Sequence, residues 1–343
     1  MSELPTTTDV AIVGGGFAGI ATAWALARRR VPAIVLEREA APGQFASGRS
    51  AGLGRQLAED DGTSVLAIRG AALLRGDLAA VWQPCGGILS FDQPSAVEAY
   101  AARAARLGVA VERLDRAGVV ARWPGVEDLA VAAALYVPSD GVIDVAALLA
   151  AFAREARVVC GAGVDRIEPT ARGARLFTAR GELEARVVVD AAGAWAGMLT
   201  GDPPLDAFKR HVYVLEAAVA AGAPFLWHLG ADELYVRPDA GGLLISPCDA
   251  TVTAAADQQP DPIGEAMLWV RLAESAWSAA RIARRWACQR AFTPDRAMRL
   301  GRDPARPWLV WAAGLGGHGA TASPAVGELV AGACIDALGG RDA

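Results

Sequence analysis

Three glycines and one acid carry the first chemical signal in this 343-residue sequence. Gly14, Gly16 and Gly19 stand as G-x-G-x-x-G, with Phe17 and Ala18 between the last two. An apolar run at 9–13 precedes them, and an alanine-rich stretch at 20–29 follows with helical character. Residues 33–36 read as a second buried strand, closed by Glu37 and Arg38. The first glycine permits a tight turn, the second lets backbone approach a pyrophosphate, and the third lets helix pack on strand. The helix N-terminus adds N–H groups and positive dipole for phosphate. Glu37 ends the second strand, where a carboxylate accepts hydrogen bonds from an adenosine ribose. The spacing predicts a dinucleotide site.

That unit serves both NAD and FAD. The pattern alone does not choose between them, and an NAD-linked dehydrogenase stays open at this point, but the segment after it favours FAD. Pro42-Gly43 leads into Ser47, Gly48, Arg49, Ser50, Ala51 and Gly52, a second loop of small, polar residues suited to the far end of a long cofactor. Later segments offer further backbone contacts. Gly163-Val164 lies in a short strand and loop. The strand at 187–189 runs into Ala192-Gly193-Ala194-Trp195. The strand at 309–312 runs into a glycine turn at 314–319, which holds Gly316, Gly317, His318 and Gly319 ahead of Ala320 and Thr321. A helix is expected from Pro324 to residue 338, since proline suits a helix start. Its dipole would stabilise negative charge developing on a reduced flavin.

The elements that position these residues fall into two groups. Helices are expected at 64–80, 95–107 and 145–156, with a turn at 140–144. From 206 the character changes. Residues 211–215 read as a strand, 234–246 as a hairpin turning at Pro238 to Gly242, and 264–283 as a helix. The expected fold is α/β: a Rossmann-type FAD-binding domain with an inserted antiparallel β-sheet and helix that form a substrate domain. The expected division assigns 1–83, 138–205 and 293–343 to the FAD domain and 84–137 and 206–292 to the substrate domain.

Composition narrows the class. The chain is 53% hydrophobic and 21% charged, which excludes a disordered tail. Net charge is −5 with no basic stripe, so nucleic acid is not an expected partner. Of 33 basic residues only Lys209 is lysine. Five cysteines without CxxC spacing and three histidines argue against a disulfide framework or a metal centre and for a reducing cytoplasm. No signal peptide is expected at the N-terminus. The uncharged stretch 308–327 has the length of a membrane span, but its glycines and Pro324 make it strand, turn and helix.

The opening motif, the ASGRSAG loop, VVVDAAGAW and the closing GLGGHGATASPAVGELVA resemble the FAD-dependent D-amino acid oxidase family, over nearly the whole chain. The nearest likeness is to its D-arginine dehydrogenase and glycine oxidase branches, through VLERE, LYVRPDAGGLLISP and WACQR. The resemblance implies that Arg290 and Tyr235 hold a substrate carboxylate, with Arg210 as a further cation. It implies hydride transfer from the CH–NH bond of a small amino or imino acid, in the first instance a D-amino acid, giving an imine and then a keto acid. His318 would face flavin or substrate, or be fixed by backbone. FAD would be bound without a covalent link, attachment through Cys288 being the alternative, with Arg290 to activate the thiol. The acid that D-arginine dehydrogenases use for a cationic side chain has no counterpart in residues 84–89, which points to a smaller or apolar substrate. The lysine that sarcosine oxidases use for oxygen falls on Leu244 or Ile245. That favours a dehydrogenase serving a quinone or other acceptor. An oxidase of the glycine or sarcosine type using O2, and a flavin-binding subunit without a substrate site, are the alternatives. The sequence does not assign an oligomeric state.

Overall fold

The computed structural model describes residues 4–202, 205–220 and 222–339, so the outermost ends of the expected domains, with 203–204 and 221, lie outside the described residues. Five strands form a parallel sheet, in the order Leu309–Ala313, Gly181–Asp190, Thr7–Val13, Ala33–Leu36 and Val158–Val159. Both faces are covered, which is why these strands read as continuous apolar runs: Val10, Ala11, Ile12 and Val187 to Val189 are fully buried. The first half of Gly181–Asp190 also pairs with an edge meander, Val164–Thr170 and Gly173–Thr178.

Helices Phe17–Arg28, Asp61–Arg75, Val145–Glu155 and Gly319–Gly339 pack around one face of this sheet. The small residues noted in the sequence act at the crossings. A Cβ at Gly327 would overlap the Ala21 carbonyl, and one at Gly70 would overlap the carbonyl of Thr321. Glycine there lets three helices approach at backbone distance.

A nine-stranded sheet faces this layer. It runs from Thr251–Thr253 through Asp206–Leu215, Gly242–Ser246, Leu234–Asp239, Phe225–Leu229, Gly87–Phe91 and Ala133–Val137 to Glu112–Leu114. Ile282–Phe292 pairs along nearly the whole of Asp206–Leu215. All pairs are antiparallel except Phe225–Leu229 with Gly87–Phe91. A small sheet of Leu53–Gly54, Gly141–Ile143 and Trp82–Pro84 joins the layers.

Three sequence expectations change. The helix expected at 264–283 is Pro262–Arg271, followed by tight turns and the strand Ile282–Phe292. Trp277 packs edge-on against Trp123 and lies over Gly125, and this contact outweighs the local helical preference. The last helix begins at Gly319, so Pro324 lies inside it. Proline cannot donate to the Ala320 carbonyl, and the Ser323 hydroxyl donates to it instead at 3.2 Å. The helix expected at 64–80 is Asp61–Arg75, started by Asp60, whose carboxylate accepts from the Thr63 N–H at 2.8 Å. The stretch 308–327 is the strand Leu309–Ala313, a glycine turn and helix. Among the described residues no helix is long and apolar enough to cross a membrane, and no cluster of His, Cys, Asp and Glu is arranged to hold a metal ion.

Candidate active site

A cavity of about 720 Å³ runs from the C-terminal ends of the parallel strands to the face of the nine-stranded sheet. Its first end is the glycine loop. Gly14 has φ 103°, and a Cβ there would lie 2.6 Å from the Ala191 carbonyl oxygen. A Cβ at Gly19 would overlap the Gly14 carbonyl, so Gly19 closes the helix onto the strand and does not itself line the cavity. Gly16, Phe17 and Ala18 do line it, and Ser47 Oγ accepts from the Phe17 N–H at 2.9 Å. Glu37 is 7% exposed. Its carboxylate accepts from the N–H of Gly15 at 2.7 Å and of Glu39 at 2.8 Å, which fixes both oxygens in the cleft. Arg38 stacks 4.6 Å from the Trp195 ring and 5.3 Å from Phe45, so a cation and two aromatics wall this end beside Val164, Ala192 and Gly193.

These observations test the fit of FAD. The glycine cradle leaves the space that a Cβ would fill, and the acid on the second strand is held ready. The cavity continues past the second loop, along Ser50 and Ala51 to Gly316, Gly317, Gly319, Ala320 and Thr321. Arg49 lines it too, but its guanidinium is engaged: it donates to the carbonyls of Gln258 and Ala287 and pairs with Asp257 at 2.7 Å. Gly52, like Gly19, is an expected contact that does not line the cavity. It lies outside the cavity, against the Ile143 carbonyl, where φ 71° and the close approach demand glycine.

The second end is a pocket of guanidinium groups. Arg210 sits opposite Cys288, and Phe208 opposite Arg290, on adjacent antiparallel strands. The two-residue period therefore turns Arg210, Cys288 and Arg290 to one face. It turns Lys209 to the other, where Nζ pairs with Asp261 at 2.6 Å. Of the two neighbouring cations, Arg210 lines the cavity and Lys209 does not. Arg210 is 2% exposed, and its Nε and Nη1 have no partner. Arg290 Nε is likewise unpartnered, and the Gly316-Gly317 turn passes against its side chain. Tyr235 is buried beside Trp227 in the same wall. Burial raises its phenol, against the pull of Arg210, so it stays protonated and can donate.

Arg55 completes the pocket, and the sequence reading missed it. It directly follows Gly54 of the small sheet, is 2% exposed, and lies 4.0 Å over the Trp227 ring. Its Nη2 donates to Glu59 Oε1 at 2.8 Å and lies 3.0 Å from His318 Nε2, while Nε and Nη1 have no partner. His318 Nε2 also lies 3.1 Å from Glu59 Oε2, so this histidine is held by the Arg55–Glu59 pair rather than by backbone. Desolvation raises the Glu59 carboxyl, but Arg55 and His318 prevail and hold it well below the usual range. The only signal for Arg55 in the sequence is a lone charge between Leu53 and Leu57. Trp227 had no signal beyond its apolar strand.

Two cysteines lie near Arg210. Burial pushes the Cys288 thiol up to about 11 despite Arg210. The activation expected from Arg290 is therefore absent, and the thiol is neutral at physiological pH. Cys248 takes the left-handed conformation, φ 53°, and burial pushes its thiol up to about 12. Residues 84–89 stay outside the cavity.

The dinucleotide cradle thus runs continuously into a pocket lined by Arg55, Arg210 and Arg290. The FAD dependent oxidoreductase family (DAO) matches residues 9–333, and the chain belongs to it, with FAD as its cofactor. It is similar to glycine oxidase of Geobacillus kaustophilus (strain HTA426), 29% identical over 94% of this chain and 92% of that protein. The crystal structure of glycine oxidase from Geobacillus kaustophilus superposes with a TM-score of 0.83 at 26% identity, covering 97% of this chain and 95% of that one. L-Proline dehydrogenase from P. horikoshii shares the fold, with a TM-score of 0.85 at 21% identity over 96% and 93% of the two chains.

Proposed function

We propose that this enzyme oxidises the Cα–N bond of a small amino or imino acid, a D-amino acid in the first instance, and passes the electrons to a quinone or other acceptor rather than to O2. The observation that carries the reading is the meeting of Arg290, Arg210 and Tyr235 in one wall at the far end of the FAD cradle. FAD, when bound, supplies the hydride acceptor. Arg290 grips the substrate carboxylate through two N–H groups, the Tyr235 hydroxyl donates to it, and Arg210 adds charge from below. Together they fix the Cα–H direction, which is worth most to a reaction that needs no strong protein base. Water then hydrolyses the imine to a keto acid and ammonia or amine.

The cradle residues, Glu37 and the closing glycine turn hold FAD in this reading, and the raised Cys288 thiol supports binding without a covalent link. The strands of the parallel sheet all lie within 1–83, 138–205 and 293–343, and those of the nine-stranded sheet within 84–137 and 206–292, which supports that division into FAD and substrate domains. Free thiols at all five cysteines support a cytoplasmic setting. The test is direct. Purified protein should be yellow and should bleach anaerobically with D-amino acids, glycine or N-methylglycine. Bound FAD that no amine reduces would leave a flavin-binding subunit, and a protein that takes up no FAD would sink the reading.

A further inference from the structure

The cavity carries more positive charge than one carboxylate can answer. Among the described residues, eight buried side-chain polar atoms lack a partner, and five of them are guanidinium nitrogens of Arg55, Arg210 and Arg290. All three residues line the same cavity. Buried unpaired donors are scarce in folded proteins, and on charged groups they are costly, so such a cluster points to an absent acceptor. Of the acids nearby, Asp140 accepts from Gln56 through Oδ1 and hydrogen-bonds none of the three arginines, although its Oδ2 is unpartnered, and the others are engaged elsewhere. Asp249 accepts from the backbone N–H of His211 and sits 2.7 Å from its Nδ1. Asp261 holds Lys209, and Glu233 accepts from Trp227 Nε1 at 2.8 Å. Only Glu59 touches one of the three, at Arg55 Nη2.

The guanidiniums come from two walls. Arg210 and Arg290 are diagonal neighbours on paired strands, placed to share one carboxylate with Tyr235. Arg55 enters from the small sheet. Trp227 beneath its face, and Glu59 with His318 at Nη2, fix it there, which leaves Nε and Nη1 for something else. We infer that the substrate bears a second acidic group, which Arg55 binds, so that the enzyme's preferred substrates are small amino or imino dicarboxylic acids. This replaces the smaller or apolar side chain expected from residues 84–89, and it rests on the amino-acid-oxidising reading above.

The experiment uses the FAD-loaded enzyme. Anaerobic flavin reduction is measured with D-aspartate, D-glutamate and iminodiacetate, and with D-alanine, D-asparagine and N-methylglycine as monocarboxylate counterparts. Dicarboxylates should give kcat/KM at least about 30-fold higher, the scale set by one charge-assisted contact. Arg55→Gln should lower the ratio of dicarboxylate to monocarboxylate kcat/KM by at least about 30-fold, whereas Arg290→Ala should depress both classes. Should Arg55→Gln fail to fold, binding to the wild-type enzyme decides instead. Malonate and succinate should perturb the flavin spectrum at concentrations at least about tenfold below acetate and propionate. Equal rates or equal affinities for the two classes, or an unchanged ratio in Arg55→Gln, would overturn the second-acid site while leaving amino acid oxidation standing. A yellow protein that no compound bleaches, with no preference for dianions, would overturn both.

Discussion

Arg290 and Cys288 lie two residues apart on one face of the same strand, and their chemistry differs. Arginine is a permanent cation, and the Nε of Arg290 has no partner. The thiol loses its tendency to ionise. Arg290→Ala is therefore expected to lower kcat/KM about 100-fold or more, since two charge-assisted hydrogen bonds of about 1.5–3 kcal/mol each are lost from the bound substrate. FAD content should not change. Arg290→Lys should recover only part of the loss, because an ammonium cannot donate two parallel bonds. Steady-state kinetics with an artificial acceptor, beside the ratio of flavin to protein absorbance, measures both. For Cys288 the expected outcome is complete release of FAD on acid precipitation of the wild-type enzyme. Flavin that stays with the denatured chain, and is lost in Cys288→Ala, would show a covalent bond.

At the scale of elements, the small sheet is where a pH dependence is built in. Asp140 stands at the turn before Gly141–Ile143 and is wholly buried. Its Oδ1 accepts from the N–H and the Nε2 of Gln56, while Oδ2 has no partner. Burial raises its carboxyl to about 7, against the pull of the Gln56 hydrogen bonds and of Arg55 and Arg75. The folded state thus binds the proton more tightly than the unfolded chain. The stabilisation is fully present below the ordinary aspartate range and is lost as pH rises through 7. Asp140→Asn keeps the acceptor and removes the charge. It should raise the melting temperature modestly at pH 5 and more at pH 8, with a ceiling of about 4 kcal/mol. Equal melting shifts at both pH values would refute the assignment. The same sheet shows where the sequence was legible and where it was not. The glycine loop, Glu37 and the closing turn could be read because their geometry is local: each glycine answers to a turn or to a neighbour fixed by the same motif. Arg210, Tyr235 and Arg290 were reached through resemblance, and the register then resolved Arg210 from Lys209. Arg55 escaped because its burial depends on Trp227, about 170 residues away, which no local spacing encodes. The helix expected through 283 failed for a related reason, the pull of Trp123 on Trp277.

At the scale of the molecule, the second loop ties the FAD cradle to the substrate wall. The Arg49 carbonyl accepts from Trp286 Nε1 at 2.9 Å, the Ala51 carbonyl from Arg237 Nε at 2.7 Å, and the Leu53 carbonyl from Thr321 Oγ1 at 3.0 Å. The cradle and the strands that carry the arginine wall thereby belong to one connected structure, and the electron acceptor is a separate question. Reaction with O2 begins by making superoxide beside the flavin, and a fixed, uncompensated cation there lowers its cost. The only lysine, Lys209, faces away and is neutralised by Asp261. Leu244 and Ile245 are buried and apolar. The cations that do line the cavity are guanidiniums, which carboxylates of substrate or product would neutralise during turnover in the proposed reading. Oxygen is therefore expected to reoxidise the enzyme at least about tenfold more slowly than a soluble quinone analogue, a difference of about 1.4 kcal/mol in barrier. Stopped-flow mixing of the reduced enzyme with air-saturated buffer or with the quinone, each in the presence of product, reads the two rates. Oxygen rates equal to or above those with the quinone would make this an oxidase, with the arginine pocket itself supplying the cation.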